Sequence, residues 1–278
     1  MPVRPGKLPA GWYPAERAEV EATLGAWSRL DGANSSPEAF SAIAPHAGWF
    51  YSGRVAWTAW LSAAEVDSIV ILGGHLPGQA GYRYYPEDGF DTPSGIIQAD
   101  TDLVAKLSTY SGAMPDQKTD NTVEVHLPMA ATRFPGKPVS CFRIPNDLRA
   151  AGFGLALADY AKSTGKRLFV LGSTDLTHYG QSYGFEPAGA GSRGFAWARS
   201  ADDSLIKAFK SMDEAESLKL AARDSSACSV GAAITAMSYA RRMGATTSRL
   251  LMQGSSDQLS PGSDSSVGYC AIAFLPGI

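Results

Sequence analysis

The sequence predicts an α/β fold: a single domain, residues 1–278, with a central mixed, partly parallel sheet flanked by helices. Two continuous apolar runs, Ser68–Leu72 and Arg167–Leu171, are typical of strands buried on both faces of a sheet. Amphipathic segments with helical spacing alternate with such runs along the chain, as they do in α/β domains. No linker that would separate independent domains interrupts this order.

Helices are expected wherever apolar residues recur three and four positions apart. Thr101–Tyr110 is one such segment, and it follows Asp100, a good N-cap residue. The other helices that this spacing predicts are Gly53–Ala63, Asp147–Ser163, Phe195–Lys210 and Ser226–Arg242.

Shorter segments complete the order of elements. Ala39–Pro45 is a short apolar run, and Arg249–Met252 and Val267–Phe274 are expected to be the closing strands. Thr122–Leu127 alternates like a strand, and Gly180–Arg193, rich in glycine, tyrosine and serine, is expected to be a long loop. Loops of that length are often functional, so this one is a candidate part of a site.

Composition and charge exclude several classes of function. The net charge is 24 − 27 = −3 and no lysine- and arginine-rich stripe is present, which argues against a nucleic-acid partner. No apolar run reaches the roughly 18 residues of a membrane span, and the first residues lack the apolar region of a signal peptide. Three widely spaced cysteines do not form a disulfide framework. We therefore expect a cytoplasmic protein with reduced thiols and no membrane partner.

The placement of the four histidines is the most informative feature of the sequence. His46 and His75 each follow an apolar run, and His178 lies six residues beyond Gly172, where the strand Leu168–Leu171 ends. Because ligands of open α/β sheets gather at the carboxyl ends of strands, these three side chains are expected to share a pocket. A lone histidine is more often structural, but three with the same placement favour a site. His126 is expected to be a wall residue or a supporting partner.

Two histidines need a third protein ligand to complete a metal site with open positions for a substrate. By position alone the candidates are Cys228, Asp175, Glu124 and Asp257. Cys228 lies at the start of a predicted helix, where the helix dipole favours the thiolate, so it suits a metal ligand or a nucleophile. Asp175 precedes His178 by three residues, a spacing that lets the carboxylate orient the imidazole as a general base.

At these residues the sequence resembles the Memo family, also labelled the AmmeMemoRadiSam system protein B family. The resemblance covers nearly the whole chain, and Ala44–Gly53 carries its most specific motif. The remaining motifs follow in the family's order: Ala10–Pro14, Asp91–Gly95 with Asp100, Val123–Pro128, Ser173–Gly180, Cys228 before a helix, and Val267–Ala273.

The resemblance implies a fold similar to that of class III extradiol ring-cleaving dioxygenases, which use non-haem Fe(II). It places the metal ligands at His46, His75 and Cys228, and the catalytic base at His178 with Asp175 beside it. The expected cofactor is a transition metal, Fe(II) in the first place, with Cu or Zn as alternatives, because a thiolate suits all three.

The sequence departs from the family's pattern near the expected substrate pocket, to which we assign Asn121, Glu124, His126 and Tyr179. A histidine that is usual in the family is replaced by Asn121, the segment before His75 is shortened to two glycines, and a usual glycine after Cys228 is a serine. The metal ligands survive these changes, but an activity that needs a second base at position 121 is put in doubt.

These observations favour a metal-dependent oxidoreductase that acts with O2 on a small aromatic or chelating substrate. Two alternatives stay open: a non-catalytic metal-containing protein that captures a peptide or phosphorylated partner, and a zinc hydrolase. A homo-oligomer and a functional link to a radical-SAM protein are the further partners to be considered.

Overall fold

The centre of the molecule is a mixed sheet, which the computed structural model describes within residues 2–31 and 38–277. The strands of the described residues are β1 (Val3–Arg4), β2 (Ser41–Ala44), β3 (Ser68–Leu76), β4 (Arg83–Tyr84), β5 (Gly89–Phe90), β6 (Ile97–Gln98), β7 (Met114–Pro115), β8 (Val139–Pro145), β9 (Leu168–Ser173), β10 (His178–Gly180), β11 (Ala245–Ser255) and β12 (Ser265–Pro276).

Helices surround this sheet, and two short irregular helices lie beside it. The α-helices of the described residues are α1 (Arg17–Asp31), α2 (Arg54–Leu61), α3 (Thr101–Ser111), α4 (Asn121–Glu124), α5 (Leu127–Arg133), α6 (Arg149–Thr164), α7 (Gly191–Lys210), α8 (Glu214–Asp224), α9 (Val230–Met243) and α10 (Ser256–Leu259). A π-helix covers Trp49–Gly53 and a 3₁₀ turn covers Gln181–Tyr183. No helix among the described residues is long and apolar enough to cross a membrane.

The sheet is parallel in its middle and antiparallel at its edges, which confirms the predicted fold class. Strands β2, β9, β3 and β8 are parallel neighbours in that order, and β4 and β7 extend the sheet beyond β8. On the other side β12 pairs antiparallel with β2, β10 and β11. Strands β1, β5 and β6 form a separate small sheet. The parallel strands bring the carboxyl ends of β2, β3 and β9 to one edge, where the predicted site residues follow.

Alternate residues of the central strands enter two cores on opposite faces of the sheet. In β3, Val70 and Leu72 join a core with helices α6 and α9, whereas Ile69 and Ile71 join a core with α1 and α2. All four side chains are buried. Burial on both faces explains why this strand reads as a continuous apolar run.

Two predicted segments differ from the structure. The strand predicted at Thr122–Leu127 is wrong: Asp120 caps α4 by accepting from the Thr122 amide, and Pro128 stands in the first turn of α5, so the backbone is helical. The predicted loop Gly180–Arg193 holds the end of β10, the 3₁₀ turn and the start of α7. In Thr122–Leu127 only two valines alternate with polar residues, and so short a pattern does not distinguish a strand from a helix.

Candidate metal centre

Three side chains from distant parts of the chain meet at the carboxyl edge of the sheet. His46 follows β2, His75 lies near the end of β3, and Cys228 precedes helix α9. One ligand atom from each of them lies within 4.8 Å of the other two. The topology therefore brings together His46, His75 and Cys228, the three residues that the resemblance assigns to a metal.

His46 is held from two sides by residues at the end of the neighbouring strand β9. Its backbone amide donates to Asp175 Oδ1 at 2.7 Å, and its Nδ1 lies 2.9 Å from Ser173 Oγ, which leaves Nε2 facing Cys228. Complete burial lowers the pKa of His46, but the Asp175 carboxylate and Cys228 outweigh burial, so the pKa is raised. The imidazole is thus fixed in position by its surroundings.

His75 lies on an irregular end of β3. The register with β8 shifts between Gly73 and Leu76, and His75 has a φ of 56°, a left-handed conformation that is uncommon for a residue other than glycine. This turn of the chain directs Nδ1 toward Asp120 Oδ2 at 3.4 Å. Burial lowers the pKa of His75, but the hydrogen bond to Asp120 and the contact with Cys228 raise it to about 10. Local strain at such a position is common at functional sites.

The Cys228 sulfur lies 3.2 Å from His46 Nε2. Burial raises the pKa of this thiol, but the charge and hydrogen bonds of His46 and His75 outweigh it and lower the pKa well below its usual value. Asn146 holds the segment in place by donating to the Cys228 carbonyl at 3.1 Å. The two imidazoles therefore favour the thiolate, the form that binds metal.

The donor set fits a transition metal. Thiolate and imidazole ligands bind at about 2.0–2.3 Å, so ligand atoms around one ion stand roughly 3–4 Å apart, close to the separations seen here. Asp120 behind His75 supplies the carboxylate partner that metal-binding histidines usually have. The Arg143 guanidinium lies 2.9 Å from the Asp120 carboxylate and donates to the Gly74 carbonyl at 2.9 Å. It therefore holds Asp120 in position behind His75.

Asp175 and His178 stand beside the cluster. Asp175 Oδ2 lies 3.8 Å from His46 Nε2 and 3.7 Å from His178 Nε2, so the carboxylate lies between the two rings. His178 stacks on Tyr183 with ring centroids 4.9 Å apart. Burial lowers the pKa of His178, but the Asp175 carboxylate and Cys228 raise it above its usual value. His178 Nε2 is buried and has no hydrogen-bond partner among the described residues, so the hydrogen-bonding capacity of this atom is unsatisfied.

An open cavity of about 570 Å³ lies against this pair. Asp175, His178 and Asn121 line it, and Asn121 also donates to the His46 carbonyl at 3.1 Å. Asp175 and Asn121 thus join the cavity to the ligand cluster, because both line the cavity and both contact His46.

The structure places the remaining predicted pocket residues elsewhere. Glu124 accepts from the amides of Lys7 and Leu8, so it anchors the N-terminal segment. Tyr179 is buried and its hydroxyl donates to the Gly189 carbonyl at 2.8 Å. Neither lines the cavity. Asp257, a candidate third ligand, lies on α10 and accepts from Ser266.

His126 is a buried supporting residue rather than part of the cavity wall. Its Nε2 lies 3.1 Å from the same Ser173 Oγ that contacts His46, and its Nδ1 accepts from Trp60 at 3.4 Å. Burial, with a contribution from the charge of His46, lowers the pKa of His126 to about 3, so the ring is neutral.

Sequence reasoning did not identify Asp120, Ser173 or Arg143 as partners of the ligands, or Tyr183 as the partner of His178. Ser173 lies two residues beyond the predicted strand Arg167–Leu171, and Tyr183 lies in the predicted loop Gly180–Arg193, so both were close to predicted site segments. Their contacts depend on which strands become neighbours, which spacing along the chain does not reveal.

The fold and the cluster define an α/β protein with a candidate His-His-Cys metal centre at the carboxyl edge of its sheet. A family model described as Memo-like protein matches residues 4–273. The chain belongs to this family.

Relatives support the assignment over most of the chain. A MEMO1 family protein of Methanopyrus kandleri is 30% identical, over 84% of this chain and 83% of its own. A MEMO1 family protein of Thermococcus kodakarensis is 27% identical, over 98% of this chain and 99% of its own. Among solved structures, an uncharacterized protein from Escherichia coli K12 has a TM-score of 0.51 at 12% identity, over 82% of this chain and 98% of its own. That likeness concerns the fold alone.

Proposed function

We propose that this protein is a metal-dependent oxidoreductase that uses dioxygen on an aromatic or chelating substrate, with His46, His75 and Cys228 as ligands. The observation that carries the proposal is the convergence of those three ligand atoms beside a cavity that His178 lines. When bound, Fe(II) would supply the electron transfer to dioxygen that protein side chains do not. In a ring-cleaving reaction one C–C bond breaks and both oxygen atoms enter the product, so no further reductant is needed.

The role proposed for the protein's own groups is to move one proton and hold the substrate. His178 Nε2 accepts the proton of a ring hydroxyl, and its raised pKa strengthens it as the acceptor. Asp175 stabilises the imidazolium that forms, since its Oδ2 lies 3.7 Å away. Tyr183 keeps the imidazole plane fixed by stacking.

The test combines metal content and oxygen consumption on the same samples. Protein purified without chelator should carry close to one equivalent of a transition metal, and His46→Ala with His75→Ala should lose it. His178→Ala should keep the metal and lose turnover by roughly 10²–10⁴-fold, the usual contribution of one general base. Full metal retention in the double variant would contradict the site, and metal loss in His178→Ala would make that residue a ligand.

A second candidate is a metal-containing binding protein that captures a peptide or phosphorylated segment. The observation that favours it is the exposure of large aromatic side chains at the cavity, Phe50 at 68% and Tyr51 at 41%. A stoichiometric metal without oxygen consumption on any aromatic substrate would support this candidate. Stoichiometric zinc with ester or amide hydrolysis would instead support a hydrolase.

A further inference from the structure

Five large aromatic side chains line the cavity beside His178. Trp12 comes from the N-terminal segment, Phe50 and Tyr51 from the π-helix, Tyr183 from the 3₁₀ turn and Tyr269 from β12. Four separate segments of the chain thus contribute ring faces to one space. Aromatic walls from several sides favour a flat apolar ligand.

The same walls offer little positive charge to an acidic ligand, because the one imidazole that lines the cavity, His178, already lies 3.7 Å from the Asp175 carboxylate. Among the residues that the structure describes, no lysine or arginine lines the cavity. Arg199 is paired with Asp257, beside the lining residue Ser256. Asp175 at the inner end is an acidic side chain, so it offers no partner to an anionic ligand. A carboxylate or phosphate on the substrate would lose its hydration here without gaining a partner.

Besides Asn121, Asp175 and His178, the polar lining consists of serine hydroxyls. Ser256, Ser260, Ser263 and Ser265 lie on one side of the cavity, and Ser182 lies beside the stacked pair. Hydroxyl groups donate and accept hydrogen bonds with neutral polar substituents. They do not neutralise a charge.

The cavity is larger than a single ring needs. Its volume is about 570 Å³. An apolar cavity of about 150 Å³ is enough to hold benzene. A ligand that fills this space has two rings, or one ring with a sizeable neutral side chain.

We propose that the substrate is an uncharged, hydroxylated aromatic molecule larger than one ring, and that the cavity selects against carboxylated relatives of it. This inference rests on the proposed function, because it assigns the substrate of the same site. It specifies the charge and the size of the substrate, which the proposed function does not.

The test measures the binding of matched probes to the metal-loaded protein by calorimetry. Protocatechuate and its methyl ester differ in one negative charge, and we expect the ester to bind at least tenfold more tightly, because the acid leaves a desolvated charge unpaired. A phenyl-substituted catechol should bind at least tenfold more tightly than catechol, because it fills more of the apolar space.

A variant should weaken the preference for the uncharged probe. Ser260 lines the cavity and is half-buried, so Ser260→Arg places a cation there, and protocatechuate should then bind at least tenfold more tightly than it binds the native protein. Ser163→Arg, on the exposed face of α6, is the matched control and should leave both probes unchanged.

Each outcome is decisive. Equal binding of acid and ester, or no binding of either probe to protein that carries its metal, overturns the inference. A protein that takes up no metal overturns the proposed function instead, and the metal content of each sample is measured before the probes are added.

Discussion

The three cysteines show how one residue type acquires two chemical characters. Cys141 and Cys270 lie inside strands β8 and β12 and are completely buried. Burial raises the pKa of both thiols, so they stay protonated and unreactive. Cys228 has two imidazoles beside it, and they hold its pKa well below the usual value although burial opposes them.

We predict that Cys228 is the cysteine that alkylating reagents modify in the folded, metal-free protein near neutral pH. Bound metal should slow its modification by roughly an order of magnitude or more, because the sulfur lone pair is then engaged. Mass spectrometry after brief treatment with iodoacetamide checks this. Modification of Cys141 or Cys270 without unfolding, or equal rates with and without metal, would contradict the ligand assignment.

At the scale of elements, the end of β3 and the start of α9 approach each other without space for another atom. A side chain at Gly74 would overlap the side chain of Ser229, and one at Gly73 would overlap Thr122. The Gly74 amide donates to Thr122 Oγ1 at 3.1 Å, and the His75 amide donates to Ser229 Oγ at 3.2 Å. This close packing holds His75 and Cys228 at their separation.

We therefore expect Gly74→Ala to push the Ser229 segment away and weaken metal binding measurably. The overlap should also destabilise the fold by about 1–3 kcal/mol. Gly152→Ala in α6 is the control: nothing lies within 4 Å of the added atom, and the loss of a helical glycine should stabilise by about 0.5–1 kcal/mol. Titration of both variants with a coloured metal chelator checks the affinity, and unchanged affinity in Gly74→Ala would mean that this packing does not set the ligand separation.

At the scale of the whole molecule, one buried carboxyl couples stability to pH. Asp202 on α7 is 4% exposed and accepts from the Thr177 amide at 3.0 Å and the Thr177 hydroxyl at 2.6 Å. Burial raises the pKa of Asp202 from 3.8 to about 7. Between these two values the folded chain holds a proton that the unfolded chain has lost, so stability falls as pH rises through that range.

Asp202→Asn removes the charge and keeps an oxygen that can accept both hydrogen bonds. Relative to the native protein, the variant should gain stability between about pH 4 and pH 8, by an amount on the order of a few kcal/mol. Denaturant unfolding at several pH values measures the difference. A difference that stays constant with pH would show that Asp202 titrates normally.

The sequence was sufficient for the parts of the fold that depend on local pattern. Two-sided burial made strands β3 and β9 recognisable, and the Asp100 side chain caps α3 as expected, accepting from the Leu103 amide. Helix α8 was not predicted, although it is as long as α3, because more than half of its residues are polar or charged.

The site was predictable only in part for a related reason. The ends of β2, β3 and β9 are visible in the sequence, and parallel pairing brings them together, so the histidines could be grouped. Glu124 looked like a pocket residue, but helix α4 directs its carboxylate to the amides of Lys7 and Leu8. Such directions depend on backbone conformation, which short patterns do not fix.

Strand β12 pairs with β2, β10 and β11 and is made after all of them. Synthesis starts at the amino end, and domains generally fold as units. During translation, β2 therefore has no antiparallel neighbour to pair with until residues 265–276 have left the ribosomal exit tunnel. The turn from Asp175 to His178 lacks its partner for the same time, because the Leu176 amide donates to the Gly268 carbonyl in that strand and the Gly268 amide donates to the Thr177 carbonyl. Asp175 and His178, which lie beside the candidate metal centre, therefore reach the conformation of the folded protein only after β12 has been made.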